Sequence, residues 1–328
     1  MLDLDRLRRI RLSKRPLGQL LVANLGLRWD YRFPRRTEIV IEGVENIPSD
    51  RGVFLAMNHT DRYNYWPLQY ELYRRGLRMT ATWVKGKYYE GGMTARFLDF
   101  TNNIPLPSRG YVITIEFRRE IGRPPSREEY RVLRDLVDRK IAADDPLPAD
   151  ASADLRRFVG GDEGLSAFLV GFDRRFDAMI HEVVRLNREA LTRHELNVLV
   201  FPEGTRSRRL GRGRTGLAQM SQHLSAAIVP IGCSGSDRCY PSNSPFSRGG
   251  RIVYRVGAPL EPDGPELGPY RVPPEVLPLT RAATERYGDR YEAITAVVME
   301  KISELVDPEY RAEGEGEGGD ERGVERFI

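Results

Sequence analysis

The sequence predicts an α/β protein in which a mostly parallel sheet is flanked by helices, with a helical insertion and an N-terminal amphipathic basic helix. Three observations support this prediction. Short apolar runs alternate with helical patterns along the chain. At about residues 111–195 the helical patterns follow one another without a strand between them, and residues 1–37 combine arginines with leucines. Short buried strands alternating with helices are typical of parallel sheets covered on both faces.

The composition is that of a folded globular protein. The chain has 328 residues, of which 40% are apolar and 30% charged, with a net charge of +4. These values exclude wholesale disorder and a polytopic membrane protein, and so mild a charge does not favour nucleic acid as a partner. Cys233 and Cys239 are too few for a disulfide framework. We expect neither a signal peptide nor a transmembrane helix.

The N-terminal segment, residues 1–37, is both basic and apolar. Residues 1–36 contain ten basic and three acidic residues, with leucines and Trp29 between them. Such a helix suits the interface of an anionic membrane, which predicts a peripheral protein on the cytoplasmic face. The alternative is a helix packed on the domain with a solvated basic face.

The main domain is predicted over residues 38–308. Its strands are expected at residues 38–44, 52–57, 79–84, 104–106, 197–201, 228–233 and 251–256, where apolar or alternating runs occur. Helices are expected at residues 68–75 and 217–224. Residues 309–328 alternate glutamate with glycine and are expected to be disordered.

The helical insertion is expected at about residues 111–195. Ser126 and Glu129 have the spacing of a capping box that opens a helix whose apolar face extends to Ile141. A second helix is expected at about residues 172–192, where apolar residues recur at helical spacing.

The first candidate site follows the apolar run at residues 52–57. Residues 58–64 read NHTDRYN. A histidine at the carboxyl end of a strand lies where α/β sheets bind ligands, and His59 can act as a base near neutral pH. The alternative is a turn in which Asn58 and Asp61 cap backbone amides and His59 has no chemical role.

The second candidate site also follows an apolar run. Residues 201–209 read FPEGTRSRR, and five arginines lie between positions 206 and 214 on a loop that contains glycines. Guanidinium groups match phosphate oxygens bidentately, so this loop indicates anion binding. A solvated basic loop is the alternative.

Together the two segments resemble the glycerolipid acyltransferase family, whose archetype is 1-acylglycerol-3-phosphate O-acyltransferase. The specific part is the run FPEGTRS at residues 201–207, which follows the Asn-His turn much later in the chain. Residues 104–109 are similar to the second block of the family, with one extra residue before Arg109. Residues 229–232 and 257–260 are similar to later segments, so the resemblance covers about residues 38–262.

The resemblance implies an acyltransferase of phospholipid synthesis. The acyl donor would be acyl-CoA or acyl carrier protein, and the acceptor a hydroxyl of a glycerol phosphate or lysophospholipid. His59 would be the general base, and Arg109 and Arg206 would hold the acceptor phosphate. The other residues expected to help place the acceptor are Glu203, Gly204 and Thr205. We expect no metal and no resident cofactor, and we expect the apolar run at residues 168–172 either to line an acyl-chain groove or to fill the core of the insertion.

One residue departs from the family pattern. The family places an aspartate five residues after the histidine, where this chain has Asn64. An amide can orient an imidazole but brings no charge, and losing the carboxylate from a serine-protease triad costs about 10⁴ in rate. Three cases stay open: activity supported by Asn64, activity supported by Asp61, or a catalytically weak or inactive relative that binds lipid or acyl-CoA.

Overall fold

The computed structural model describes residues 2–142 and 145–312. One sheet contains seven strands, which are β1 (Thr37–Glu42), β2 (Phe54–Met57), β3 (Thr80–Lys85), β4 (Asn103–Leu106), β5 (Asn197–Val200), β6 (Ile228–Ser234) and β7 (Gly250–Val256). Their order across the sheet is β1-β7-β6-β2-β5-β3-β4. Only the β6–β7 pair is antiparallel in the described sheet. The predicted α/β fold, a mostly parallel sheet flanked by helices, is therefore confirmed.

The central strands are apolar because helices cover both of their faces. Strands β2, β5 and β6 are buried along their whole length, as is typical of parallel sheets. The helices are α1 (Leu4–Arg9), α2 (Leu17–Leu21), α3 (Arg28–Asp30), α4 (Tyr65–Arg74), α5 (Gly92–Phe100), α6 (Arg109–Ile121), α7 (Arg127–Val137), α8 (Ala153–Val159), α9 (Gly161–Arg188), α10 (Gly216–Leu224), α11 (Ser236–Cys239) and α12 (Arg281–Leu305). Among the described residues, no helix is long and apolar enough to cross a membrane.

The N-terminal segment is not one helix. Helix α1 is separate from α2, and a π-helical turn, Val22–Leu27, joins α2 to α3. One side packs on the domain, since Leu7, Ala23 and Leu27 are buried in the core. The other side of residues 17–30 leaves large apolar side chains exposed. The segment thus packs on the domain, as one sequence interpretation predicts, and also exposes an apolar side, as the membrane interpretation predicts. Membrane contact stays a prediction.

The insertion contains α6, α7, α8 and α9. The predicted capping box is formed, with Ser126 and Glu129 bonding to each other's backbone amides at the start of α7. Helix α7 ends at Val137 and not near Ile141, because Arg139 has the left-handed backbone conformation (φ 57°). Helix α9 begins at Gly161, earlier than predicted. Three glycines in residues 161–171 lower the helix propensity of this segment, which is why its helix was not predicted there. Burial of its leucines stabilises the helix.

The predicted tail boundary at residue 309 lies inside ordered structure. Pro308–Tyr310 form a 3-10 helix, and the side chain of Tyr310 is buried. The greater part of the predicted tail, residues 313–328, lies outside the described residues.

Five strands end at the same edge of the sheet. Strands β2, β3, β4, β5 and β6 run in one direction, so the segments that follow them meet at their carboxyl ends. These segments carry His59 after β2, the arginine-rich loop after β5 and Arg109 after β4. This edge is where open α/β sheets bind ligands.

Candidate active site

The backbone at His59 is fixed by neighbouring strands. The side-chain amide of Asn58 donates to the carbonyl of Cys233 (2.9 Å) and accepts from its amide (2.7 Å), which ties the end of β2 to β6. The amide of His59 donates to Oε2 of Glu203 (2.9 Å). The carbonyl of His59 accepts from the amide of Ser207 (2.9 Å). The loop after β5 therefore holds His59 from both sides.

Asn64 orients the imidazole of His59. Its Oδ1 lies 3.2 Å from Nδ1 of His59. Its Nδ2 donates to the carbonyl of Asn58 (2.8 Å), which fixes the amide so that the oxygen faces the ring. Nδ1 must then carry the proton, because an amide oxygen only accepts. The lone pair is left on Nε2, as a general base requires.

His59 is neutral at pH 7 and a weak base. Its pKa is lowered to about 4, mainly by burial and in smaller part by the charges of Arg206 and Lys85, while the hydrogen bond to Asn64 opposes the change. The ring of Phe201 stacks on the imidazole with centroids 3.9 Å apart. An aromatic cover of this kind keeps water from one face of the base.

Asp61 does not take the place of the family aspartate. Its Oδ1 accepts from the amide of Tyr63 (2.8 Å), and its Oδ2 accepts from the hydroxyl of Thr60 (3.0 Å). Both oxygens thus stabilise the turn itself. Of the two partners considered for His59, the structure brings Asn64 to the imidazole.

Glu203 holds the backbone of the site. Its second oxygen, Oε1, accepts from the amide of Gly211 (2.9 Å), and the side chain is buried. Burial raises its pKa to about 7, against the effect of the two backbone hydrogen bonds. Gly204 follows in the left-handed conformation (φ 66°) with Arg214 packed against it, and Thr205 is half-buried. These residues shape the loop around His59.

Arg109 is far from His59 and engaged elsewhere. Its Nε donates to the carbonyl of Val137 (3.1 Å), and its guanidinium pairs with Asp173. The same guanidinium lies 5.2 Å from the ring centre of Phe172. Three strand spacings separate β2 from β4, or about 14 Å. The structure therefore does not bring Arg109 to His59, and this side chain joins the insertion helices.

Two cations are close enough to His59 to lower its pKa. Arg206 is exposed on the loop after β5, and Lys85 ends β3 at the same edge of the sheet. Sequence reasoning missed Lys85. The available signal was a lysine directly after a buried apolar strand, which a parallel sheet places at the ligand-binding edge. Other loop arginines have acidic partners: Arg208 pairs with Glu309 and Arg212 with Glu292.

A cavity lies beside the site, between residues 17–30 and α4. Its volume is about 30 Å³, room for one or a few water molecules. Its walls include Ala23, Leu27, Tyr65 and Phe97. The ring of Tyr65 contacts that of Phe201, with centroids 6.1 Å apart, so the cavity reaches the aromatic cover of His59. In the described part of the chain, no cluster of His, Cys, Asp and Glu side chains could hold a metal ion.

Part of the chain matches a known family. Residues 166–234 match the family model described as Acyltransferase. No curated protein has significant similarity to the chain. Among solved structures, the chain is similar to that of the 1-acyl-sn-glycerophosphate (LPA) acyltransferase, PlsC, from Thermotoga maritima. The two are 14% identical with a TM-score of 0.45, over 88% of this chain and 78% of that one.

The family match contains the loop after β5 and all of β6, but not His59. It includes the FPEGTRS run from which the sequence resemblance was inferred, and the structure brings that run to His59 through Glu203 and Ser207. Over residues 166–234 the match to the Acyltransferase model therefore agrees with the resemblance to the glycerolipid acyltransferase family.

Proposed function

We propose that the protein transfers an acyl group from a thioester, acyl-CoA or acyl carrier protein, to a hydroxyl of a glycerol phosphate or lysophospholipid. The observation that carries this proposal is the His59–Asn64 pair, which leaves Nε2 as a base next to two cations. A hydroxyl is a poor nucleophile until a base takes its proton. A phosphate bound nearby fixes that hydroxyl in position.

The reaction needs one proton carrier. Nε2 of His59 takes the proton of the acceptor hydroxyl while its oxygen attacks the thioester carbonyl. The tetrahedral intermediate then breaks its carbon–sulfur bond, and the imidazolium returns the proton to the departing thiolate. The products are an ester and a free thiol. Asn64 keeps the ring oriented throughout but supplies no charge to the imidazolium.

Arg206 and Lys85 are the proposed phosphate ligands. The charges of both lower the pKa of His59, which supports a role for them in binding the phosphate of an acceptor whose hydroxyl meets the same ring. Arg206 offers a bidentate fork and Lys85 a point charge. Arg109, the other arginine expected from the resemblance, has its guanidinium on Asp173.

The proposed site for the acyl chain is the cavity beside α4. Its aromatic and aliphatic walls suit a hydrocarbon chain, which requires the cavity to widen from about 30 Å³, and Tyr65 and Phe201 connect it to His59. The other candidate, residues 168–172, includes Leu169 and Phe172, both buried in the main core. Leu169 and Phe172 therefore serve the core, whereas Val170 of the same run is exposed.

An anionic membrane is the proposed location of the acceptor. Large apolar side chains at four-residue spacing are 49–75% exposed along and just after residues 17–30; they are Leu17, Leu21, Leu25, Trp29 and Phe33. Met93, Phe97 and Phe100 of α5 are also exposed. The two elements touch at Gly18 and Phe100. Exposed apolar area next to arginines is typical of helices that bind anionic bilayers.

Vesicle binding tests this location. We expect the protein to sediment with vesicles that contain phosphatidylglycerol, and a Leu25→Glu/Trp29→Glu variant to stay in the supernatant. Val170→Glu is the matched control, since Val170 is 57% exposed on α9, outside this surface. Equal binding by both variants contradicts the proposed membrane contact.

Thiol release tests the reaction itself. Acyl-CoA and acyl carrier protein donors are combined with glycerol 3-phosphate or lysophospholipids, and wild type is compared with His59→Ala and, as a control, His194→Ala. Acceptor-dependent release that only His59→Ala abolishes supports the proposal. The neutral Asn64 favours a second candidate, a relative that binds lipid or acyl-CoA without turnover. That candidate predicts binding of acyl-CoA but no thiol release with any donor.

A further inference from the structure

A short segment near the end of the described chain packs on the arginine-rich loop. We define the strap as Pro308–Tyr310 and the arginine loop as residues 206–214. The amide of Leu210 donates to the carbonyl of Tyr310 (2.8 Å). The side chain of Tyr310 is fully buried. The strap therefore covers the middle of the loop that carries Arg206.

The hydroxyl of Tyr310 joins the loop to the end of β6. It donates to Oδ1 of Asp237 (2.6 Å) and accepts from the amide of Gly235 (3.0 Å). Asp237 also lies 3.5 Å from the guanidinium of Arg208. Through its backbone and its hydroxyl, one tyrosine links the arginine loop to the turn after β6.

Glu309 contributes less than Tyr310. It pairs with Arg208 (2.9 Å) and Arg238 (2.5 Å). The arginine side chains are about 60% exposed, and exposed ion pairs contribute little to stability. Buried hydrogen bonds are more costly to lose. The hydrogen bonds of the Tyr310 hydroxyl therefore contribute most to holding the strap on the arginine loop.

The loop held by the strap also holds the catalytic base. Ser207 donates to the carbonyl of His59, and Gly211 donates to Glu203, which in turn accepts from His59. Arg206 lies next to Ser207 in the chain. Movement of the loop at Leu210 would thus move the proposed phosphate ligand.

We infer that Tyr310 is a positioning residue that fixes the arginine loop, and with it Arg206, for binding of a phosphorylated acceptor. The role of the loop in binding rests on the proposed function. The fastening itself does not, because it can be measured without catalysis. Among the described residues, Tyr310 forms hydrogen bonds with Leu210, Gly235 and Asp237, so its effect on the site must pass through the loop.

Trypsin provides a test of the fastening that is independent of activity. The loop contains five arginines, each a cleavage site when the backbone opens. In full-length Tyr310→Phe we expect cleavage within residues 206–214 to be about tenfold faster, as the loss of one or two buried hydrogen bonds implies. The control is Tyr89→Phe, which removes another buried hydroxyl that donates to the carbonyl of Asn103. Equal cleavage rates in wild type and both variants overturn the inference.

Kinetics test the consequence for binding. We expect Tyr310→Phe to raise the KM for a phosphorylated acceptor several-fold while the KM for the acyl donor stays unchanged. Faster cleavage with an unchanged acceptor KM overturns the positioning role. If wild type transfers no acyl group but cleavage responds as expected, the proposed function fails and the fastening of the loop stands.

Discussion

Replacing Asn64 by aspartate tests how His59 is tuned. The amide oxygen lies 3.2 Å from Nδ1 of His59, so a carboxylate there faces the imidazolium that forms during catalysis. Two unit charges about 4 Å apart attract by about 4 kcal/mol at an effective dielectric constant near 20. Burial of the new carboxylate offsets part of this gain. A net gain of about 2.7 kcal/mol corresponds to a change of about two in pKa.

We therefore expect Asn64→Asp to raise the pKa of His59 from about 4 to about 6. A stronger base that is still neutral at pH 7 transfers protons faster. The expected rise in kcat at pH 7 is about tenfold or more, smaller than the roughly 10⁴ effect of the corresponding change in a serine protease. In wild type the acid limb of the pH profile falls near the pKa of about 4.

The assay is acceptor-dependent thiol release between pH 4 and pH 9, together with NMR titration of the His59 ring protons. Asn24→Asp is the control, because Asn24 is half-buried near the start of the chain and bonds to the carbonyl of Leu20. An acid limb and a ring titration that stay near pH 4 in Asn64→Asp would refute the electrostatic reasoning. A lower rate at pH 7 in a folded variant would refute the role given to Asn64.

Three further predictions concern the phosphate ligand, the buried glutamate and the acyl chain. Arg206→Gln should raise the acceptor KM at least tenfold, whereas Arg109→Gln should leave it nearly unchanged; equal effects contradict the assignment. Burial raises the pKa of Glu203 from 4.5 to about 7. The protonated side chain therefore contributes its full stability below pH 4.5, and this contribution is lost as pH rises to 7. Urea unfolding should show wild type losing about 3 kcal/mol relative to Glu203→Gln over that range, and a constant difference contradicts it. Ala23→Leu narrows the cavity and should shorten the preferred acyl chain in a donor panel, with unchanged preference as the contrary result.

The fold was predictable because its strands differ in composition from the rest of the chain. The runs at residues 54–57, 197–200 and 228–234 are apolar throughout, and a buried parallel strand requires this. The same reasoning placed His59 at the ligand-binding edge. The pairing of Asn64 with His59 was also predictable from their spacing, because the turn before α4 brings Asn64 to the imidazole of His59.

Side-chain partners from distant parts of the chain were not predictable. Arg109 has the position expected of a phosphate ligand, but Asp173, 64 residues later, takes its guanidinium. Lys85 lies in no motif, and only the strand order places it near His59. The ordered turn at residues 308–310 follows a long helix and precedes a glycine-rich run. Its order depends on Tyr310 bonding to Asp237, which local composition does not reveal.

The Asn64→Asp substitution also carries a folding cost. Nδ2 of Asn64 donates to the carbonyl of Asn58 (2.8 Å) in a fully buried position. A carboxylate places two acceptors against each other, which costs about 1–3 kcal/mol. We expect the free energy of unfolding at pH 7 to fall by about 2 kcal/mol even as the rate rises. Proton uptake by the folded variant, on the new carboxyl or on His59, relieves this conflict, so the deficit should shrink as pH falls from 7 to 4. Urea unfolding across that range measures the deficit, and a constant deficit would show that packing, not charge, explains the neutral residue beside His59.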